Sequence, residues 1–223
     1  HPIKKGWHGG RQIPMKGGYN FLAGDEGFRP WLFLIRSAWE DLLQKIPELI
    51  KKAKKIGRSA GLSRETVDGL IVLFDREGYS AELYRYLEGK DEGEGIRRAI
   101  FISWAKYVDK WVYEIEEAAL AQTVKVFYAI RKPEEIRYVE MDRTMNKYGK
   151  IRAIVIQSGK QKKRAVIYTN ASAEELGAER VVRLMCRRWG EENQIKELLL
   201  KHMINYMPGY VTEGLDEQPW GEN

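Results

Sequence analysis

The chain has little of the chemistry that most small active sites are built from. Cys186 is its one cysteine, and its three histidines, His1, His8 and His202, are scattered along 223 residues. A single thiol excludes an internal disulfide and favours a reducing compartment. With the histidines at no metal-ligand spacing, a Cys/His zinc site is excluded as well. Cys186 lies among apolar residues, which marks it as a small core residue before a nucleophile. No apolar run reaches the roughly 18 residues of a membrane span, and no stretch has a signal-peptide pattern. Gly6, Gly9, Gly10, Gly17 and Gly18 lack the Lys-Ser/Thr that completes a phosphate loop. Ser59, Ser103 and Ser158 lack the context of a nucleophile elbow. There is no internal repeat and no low-complexity segment. The sequence also lacks an initiator Met, opening on His1-Pro2-Ile3 as though cut from something longer.

Charge is what the sequence has in quantity. Asp, Glu, Lys and Arg make up 31% of it, with a formal net charge of +6. That balance suits an anionic partner without identifying one. The cations concentrate in Lys51-Lys52-Ala53-Lys54-Lys55, Lys160-Gln161-Lys162-Lys163-Arg164 and Arg187-Arg188. Such runs are more often solvated faces than binding sites.

The 43% hydrophobic content is enough for a substantial core in one large domain. Trp31–Ile35, Leu70–Phe74 and Ala99–Ile102 are short apolar runs that read as buried strands, the second as the central strand of a covered sheet. Ser37-Ala38-Trp39-Glu40 is a capping box opening a helix that ends near Gly57, with Pro47 expected to kink or restart it. Ser80 caps a short helix reaching about Leu87, and Asp91–Gly95 is a polar turn. From about Thr123 to Thr169 the strands become half-polar: Glu135–Asp142, Ile151–Gln157 and Arg164–Thr169 read as an antiparallel meander with short turns. Ser172-Ala173-Glu174-Glu175 is a second capping box, opening a helical segment that Gly177 and Gly190 are expected to break or kink. The order of elements predicts an α/β layered core with a mixed or parallel sheet.

Two places in this order attract attention. The first is Arg187-Arg188-Trp189-Gly190-Glu191-Glu192-Asn193-Gln194-Ile195-Lys196, where Arg188 and Glu192 share a helical stripe with Val181, Met185, Ile195 and Leu199. A carboxylate and a guanidinium on a core-facing stripe cost free energy unless a partner, a metal or a substrate compensates. An ion pair within the helix, between Arg188 and Glu192, is the plain explanation. The second is Asp75, directly after the Leu70–Phe74 run. Ligands of open α/β sheets gather at the carboxyl ends of strands, although an isolated Asp there more often forms a turn. Asp75 gains meaning only if a second carboxylate converges on it.

Leu73-Phe74-Asp75-Arg76-Glu77-Gly78-Tyr79, followed much later by Arg188-Trp189-Gly190-Glu191-Glu192-Asn193-Gln194-Ile195-Lys196, resembles bacterial insertion-sequence transposases of the Asp-Asp-Glu class. The likeness covers nearly the whole chain. It matches an R-W-x-x-E-N-x-x-K helix at Arg188, Trp189, Glu192, Asn193 and Lys196, and it selects Glu192 over Glu191 as the acid. It implies a ribonuclease-H-like mixed sheet flanked by helices, with a β-rich antiparallel insertion before the helix bearing the Glu. The resulting organisation is a single catalytic domain over residues 1–223: core at about 1–105 and 170–205, insertion at about 106–169, tail at 206–223.

On the same resemblance, Asp75 and Glu192 are catalytic and hold Mg²⁺ or Mn²⁺. Phosphoryl transfer by positioning and charge neutralisation calls for two such ions about 3.5–4 Å apart. Arg188, Asn193, Lys196 and Arg76, with Lys162, Lys163 and Arg164 at a hairpin tip, are expected to support the carboxylates or contact DNA. The implied partners are transposon-end and target DNA, with a possible homodimer on the DNA, in the cytoplasm and associated with the nucleoid. A catalytically inactive DNA-binding derivative and a metal-dependent nuclease of the same fold are the alternatives. Three positions depart from the pattern: Met185 stands where a related motif has Tyr, and Leu199 where it has Lys. The third departure is the first catalytic Asp, which in many relatives precedes a His by two residues. With His1 as that His, the Asp is expected just upstream of it. Asp25, in a turn-like stretch, is the other choice.

Overall fold

The computed structural model describes residues 5–8, 13–16, 18–24, 26, 30–37, 42–90, 99–127, 133–158 and 162–188. The chain divides into two compact units, His1–Leu49 with Glu191–Asn223, and Ile50–Gly190.

The first unit contains two antiparallel hairpins. In one, β1 (Lys5–His8) pairs with β2 (Ile13–Lys16). In the other, β3 (Gly18–Gly24) pairs with β4 (Pro30–Ser37), so the apolar run Trp31–Ile35 is a strand as its pattern predicts. The division between the units falls within α1 (Leu42–Ser59). Pro47 lies inside α1, and the helix is assigned unbroken through it. The expected restart is therefore corrected: Pro47 deprives the Leu43 carbonyl of its i→i−4 donor, but the helix runs on through it. Residues 38–40 of the first capping box lie outside the described residues, as do Asp91–Gly95 and Asp25.

The second unit carries α2 (Arg64–Asp68), β5 (Ile71–Phe74), α3 (Ala81–Glu88), β6 (Ile100–Trp104), α4 (Trp111–Glu114), β7 (Gln122–Val126), β8 (Glu134–Met145), β9 (Gly149–Ser158), β10 (Arg164–Thr169) and α5 (Ala178–Arg187). Its six strands form one mixed sheet in the order β5-β6-β10-β9-β8-β7. β5 and β6 run parallel, and every other neighbouring pair is antiparallel. The meander predicted over 135–169 is β8, β9 and β10, and these strands continue the same sheet as β5 and β6. The β8–β9 turn needs left-handed backbone at Lys147 (φ 65°) and Gly149 (φ 104°), which glycine supplies without steric cost at the second position.

One strand is not where its composition points. β5 was expected at the centre of the sheet, yet among the described residues it has a neighbour on one side only, and Ile71 is exposed. The apolar run reports two covered faces, not two strand neighbours. Phe74 packs on one face, against Tyr84 of α3 and Phe101 of β6, and the Tyr84 and Phe101 rings stack at 4.2 Å. Leu73 packs on the other face, where Ile102, Ile154 and Ile167 meet Val181, Val182 and Met185 of α5. Strand alternation thus sends neighbouring residues of β5 into two different cores. Cys186 is buried in the α5 core, as its apolar surroundings predict.

Candidate functional site

Asp75 follows Phe74 at the end of β5 and keeps extended backbone (φ −74°, ψ 173°). The alternation that points Leu73 toward α5 and Phe74 away from it therefore brings Asp75 out on the α5 side. One carboxylate oxygen, Oδ1, accepts the backbone N–H of Arg76 at 2.6 Å and caps a short 3₁₀ turn, Arg76–Gly78. The other, Oδ2, lies 3.2 Å from Nη2 of Arg188. The turn is held tightly from below. A Cβ on Gly78 would come within 2.3 Å of the Phe74 ring, so only glycine lets the chain fold back over that ring.

Arg188 reaches Asp75 because the turn leading into α5 is held in place. Ser172 and Glu175 form the reciprocal bonds of a capping box: Ser172 N–H donates to Glu175 Oε2 at 2.9 Å, and Glu175 N–H to Ser172 Oγ at 3.2 Å. This box closes a turn of its own. α5 begins only after Gly177, which stands at the N-cap as the expected break. Arg152 of β9, buried, braces that turn by donating to the carbonyls of Ala171, Ser172 and Leu176, the last at 2.6 Å, while pairing with Glu140 at 2.6 Å. From there Val181 and Met185 fall on the buried stripe, and Arg188 follows Met185 by three residues on the same face. Arg188 stands at the C-cap of α5, where a cation also meets the negative end of the helix.

The pair is asymmetric. The Arg188 side chain is 12% exposed and that of Asp75 41%, so a buried guanidinium holds a carboxylate that still faces water. Such an arrangement leaves a hard oxygen donor accessible at the carboxyl end of a parallel strand pair, beside a positive charge suited to a phosphate. Among the described residues no group of three His, Cys, Asp or Glu side chains is placed to hold a metal ion.

The other expected site residues divide. Glu192, Asn193 and Lys196 lie outside the described residues. Arg76 is exposed in the turn beside Asp75. At the hairpin tip, Lys162 and Lys163 are exposed, with Lys162 paired to Glu117 at 3.5 Å. Arg164 does not belong with them. It is buried and donates from one nitrogen to the carbonyls of Val112 and Ile115, both at 2.6 Å. The basic run ends there because position 164 begins β10 and faces inward, satisfying the last carbonyls of α4 instead of contacting a ligand.

The contact that organises the site is Arg188 with Asp75, and the spacing of the sequence gives no signal of it. Local helix periodicity offers Glu192 as the partner of Arg188, whereas Asp75 is 113 residues away. No family model matches this chain, and comparison with curated proteins and with solved structures likewise returns no match.

Proposed function

We propose that the chain is the catalytic core of a DNA transposase of the Asp-Asp-Glu class, carrying out metal-dependent phosphoryl transfer at transposon ends. The observation that carries this reading is the 3.2 Å approach of Arg188 to Asp75. The resemblance pairs Asp75 with a Glu on the helix that follows Arg188, and the end of α5 lies beside the end of β5. The sequence puts Glu192 four residues after Arg188, the spacing of one helical turn. The parallel β5–β6 pair and the antiparallel strands between β6 and α5 also suit a ribonuclease-H-like core with its insertion.

The donor chemistry fits a hard divalent cation at Asp75, whose exposed carboxylate is of the right type. Asp75 and Glu192 would hold the ion. Held there, a divalent ion would supply activation of the attacking oxygen and neutralisation of the leaving one. The protein's own residues position the strand. Arg188 orients the Asp75 carboxylate through Oδ2, and the Arg76 amide fixes Oδ1. Arg76, exposed beside Asp75, would meet a backbone phosphate next to the reacting one, and the resemblance gives Lys196 the same role.

A second reading, an inactive DNA-binding derivative, is favoured by one detail: both oxygens of Asp75 already have protein partners. The experiment that separates the two is Mg²⁺- or Mn²⁺-dependent nicking of transposon-end duplex by the full-length protein. The catalytic reading expects Asp75→Asn and Glu192→Gln each to abolish cleavage while leaving DNA binding intact. DNA binding without cleavage in the unaltered protein supports the inactive derivative and rejects the enzyme.

A further inference from the structure

Residues 51–68 hold six Lys or Arg against Glu65 and Asp68, a surplus of four in a chain whose total is +6. The structure folds this charge into one corner. α1 and α2 approach closely at Gly57, where a Cβ would stand 3.2 Å from Val67 and 3.3 Å from Leu62. Three cations then converge on Asp68: Lys54 Nζ at 3.7 Å, Arg58 Nη2 at 3.7 Å and Arg64 Nε at 3.6 Å. None of these distances is that of a tight charge-assisted hydrogen bond, so Asp68 gathers the three cations without closing a tight pair with any of them.

The three differ in accessibility. Lys54 is buried, and burial lowers its pKa against the opposing pull of Asp68. Arg58 and Arg64 are 60% and 68% exposed. Lys51 and Lys55, also exposed, continue the face of α1 that carries Arg58, at helical spacings of four and three residues. From Lys51 to Arg58 the cations span about 10 Å of helix axis, longer than any single phosphate. A polymeric anion with closely spaced charges matches this spread, and duplex DNA carries one charge per about 1.7 Å of its axis.

We infer that this α1–α2 corner is a contact surface for the phosphate backbone of duplex DNA, with Arg58 and Arg64 meeting phosphates while the Lys54–Asp68 pair anchors the corner from within. The inference rests on the DNA-directed reading above, but not on any catalytic role for Asp75. Its test is fluorescence anisotropy of the full-length protein with a labelled duplex over a range of salt concentrations. Changing Arg58 and Arg64 together to Ala is expected to weaken binding and to reduce the slope of log affinity against log salt by about 2. Changing both to Lys is expected to restore most of that slope, and the Ala pair should melt at an unchanged temperature. Unchanged affinity and slope in the Ala pair would overturn the inference, as would no duplex binding by the unaltered protein. Loss of cleavage alone, with duplex binding and its salt slope intact, would remove the catalytic reading and leave this surface standing.

Discussion

Nη2 of Arg188, at the end of α5, lies 3.2 Å from Oδ2 of Asp75, at the end of β5. The two elements meet there because alternation along β5 and the buried stripe of α5 bring both side chains out of the same core. Removing Asp75 leaves a largely buried guanidinium without this carboxylate, whereas removing Arg188 leaves an exposed carboxylate in water. The two single substitutions should therefore be unequal. In a double-mutant cycle with Asp75→Asn and Arg188→Gln, followed by urea unfolding, the coupling expected is about 1 kcal/mol, near the upper end for a partly exposed pair. Fully additive effects would mean that the contact is not maintained in solution.

Gly78 is the second point of control on Asp75. A Cβ there would overlap the Phe74 ring, and that ring is itself packed on Tyr84 and Phe101. Gly78→Ala is expected to destabilise the protein by roughly 1–3 kcal/mol, the usual range for overpacking a filled site. It should also displace the Arg76–Gly78 turn that Asp75 caps. Chemical denaturation gives the stability change, and an unaltered unfolding midpoint would show that the ring moves aside freely.

Arg164 and its neighbours in sequence should separate cleanly. Arg164→Ala removes two charge-assisted hydrogen bonds to the carbonyls of Val112 and Ile115, with an expected loss of about 2–3 kcal/mol of stability. Its affinity for DNA, measured where the protein remains folded, should not change. Lys162→Ala and Lys163→Ala should leave stability within about 0.5 kcal/mol, because both side chains are exposed. A stable Arg164→Ala protein with weakened DNA binding would return Arg164 to the surface role that its basic run implied.

The aromatic cluster on the α3 face makes the fold sensitive to alkali. Burial pushes the Tyr168 hydroxyl up to about 12, with Tyr79 and Asp109 adding to the effect. Burial raises Tyr84 further still. A folded-state pKa above the unfolded value of about 10 gives a contribution fully present below pH 10 and lost as pH rises through about 12. The gap between the two states at Tyr168 corresponds to something on the order of 3 kcal/mol. Stability measured from pH 8 upward should fall above pH 10, and Tyr168→Phe should flatten that decline. An identical pH profile in the Phe variant would place the alkaline sensitivity elsewhere.

The legible parts of this fold were those fixed by local chemistry. Ser80 caps α3, Gly177 stops the chain before α5, and the alternating patterns of 135–169 become β8, β9 and β10. The parts that were not legible depend on what lies opposite. The five apolar residues Leu70–Phe74 could not report whether β5 has one strand neighbour or two, because apolar faces and strand edges are different surfaces. Arg164 and Lys163 are adjacent in one basic run, and only strand direction turns one inward and leaves the other in water. Lys54 is likewise buried while Lys51 and Lys55 of the same run are exposed, because Asp68, fourteen positions on, receives it. For the candidate site, Asp75 was visible as an acid at a strand end, while its partner Arg188 was assigned to a nearer carboxylate.

The central claim is that Asp75 and Glu192 serve one divalent-metal site. Its most direct measurement is Mn²⁺ binding to the full-length protein, followed by electron paramagnetic resonance, for the unaltered chain, Asp75→Asn, Glu192→Gln and the double variant. The account predicts that each single substitution sharply weakens Mn²⁺ binding and that the double variant binds no more weakly than the worse single one, as expected for ligands of a common site. Mn²⁺ binding unaffected by both substitutions, or losses that simply add, would contradict it.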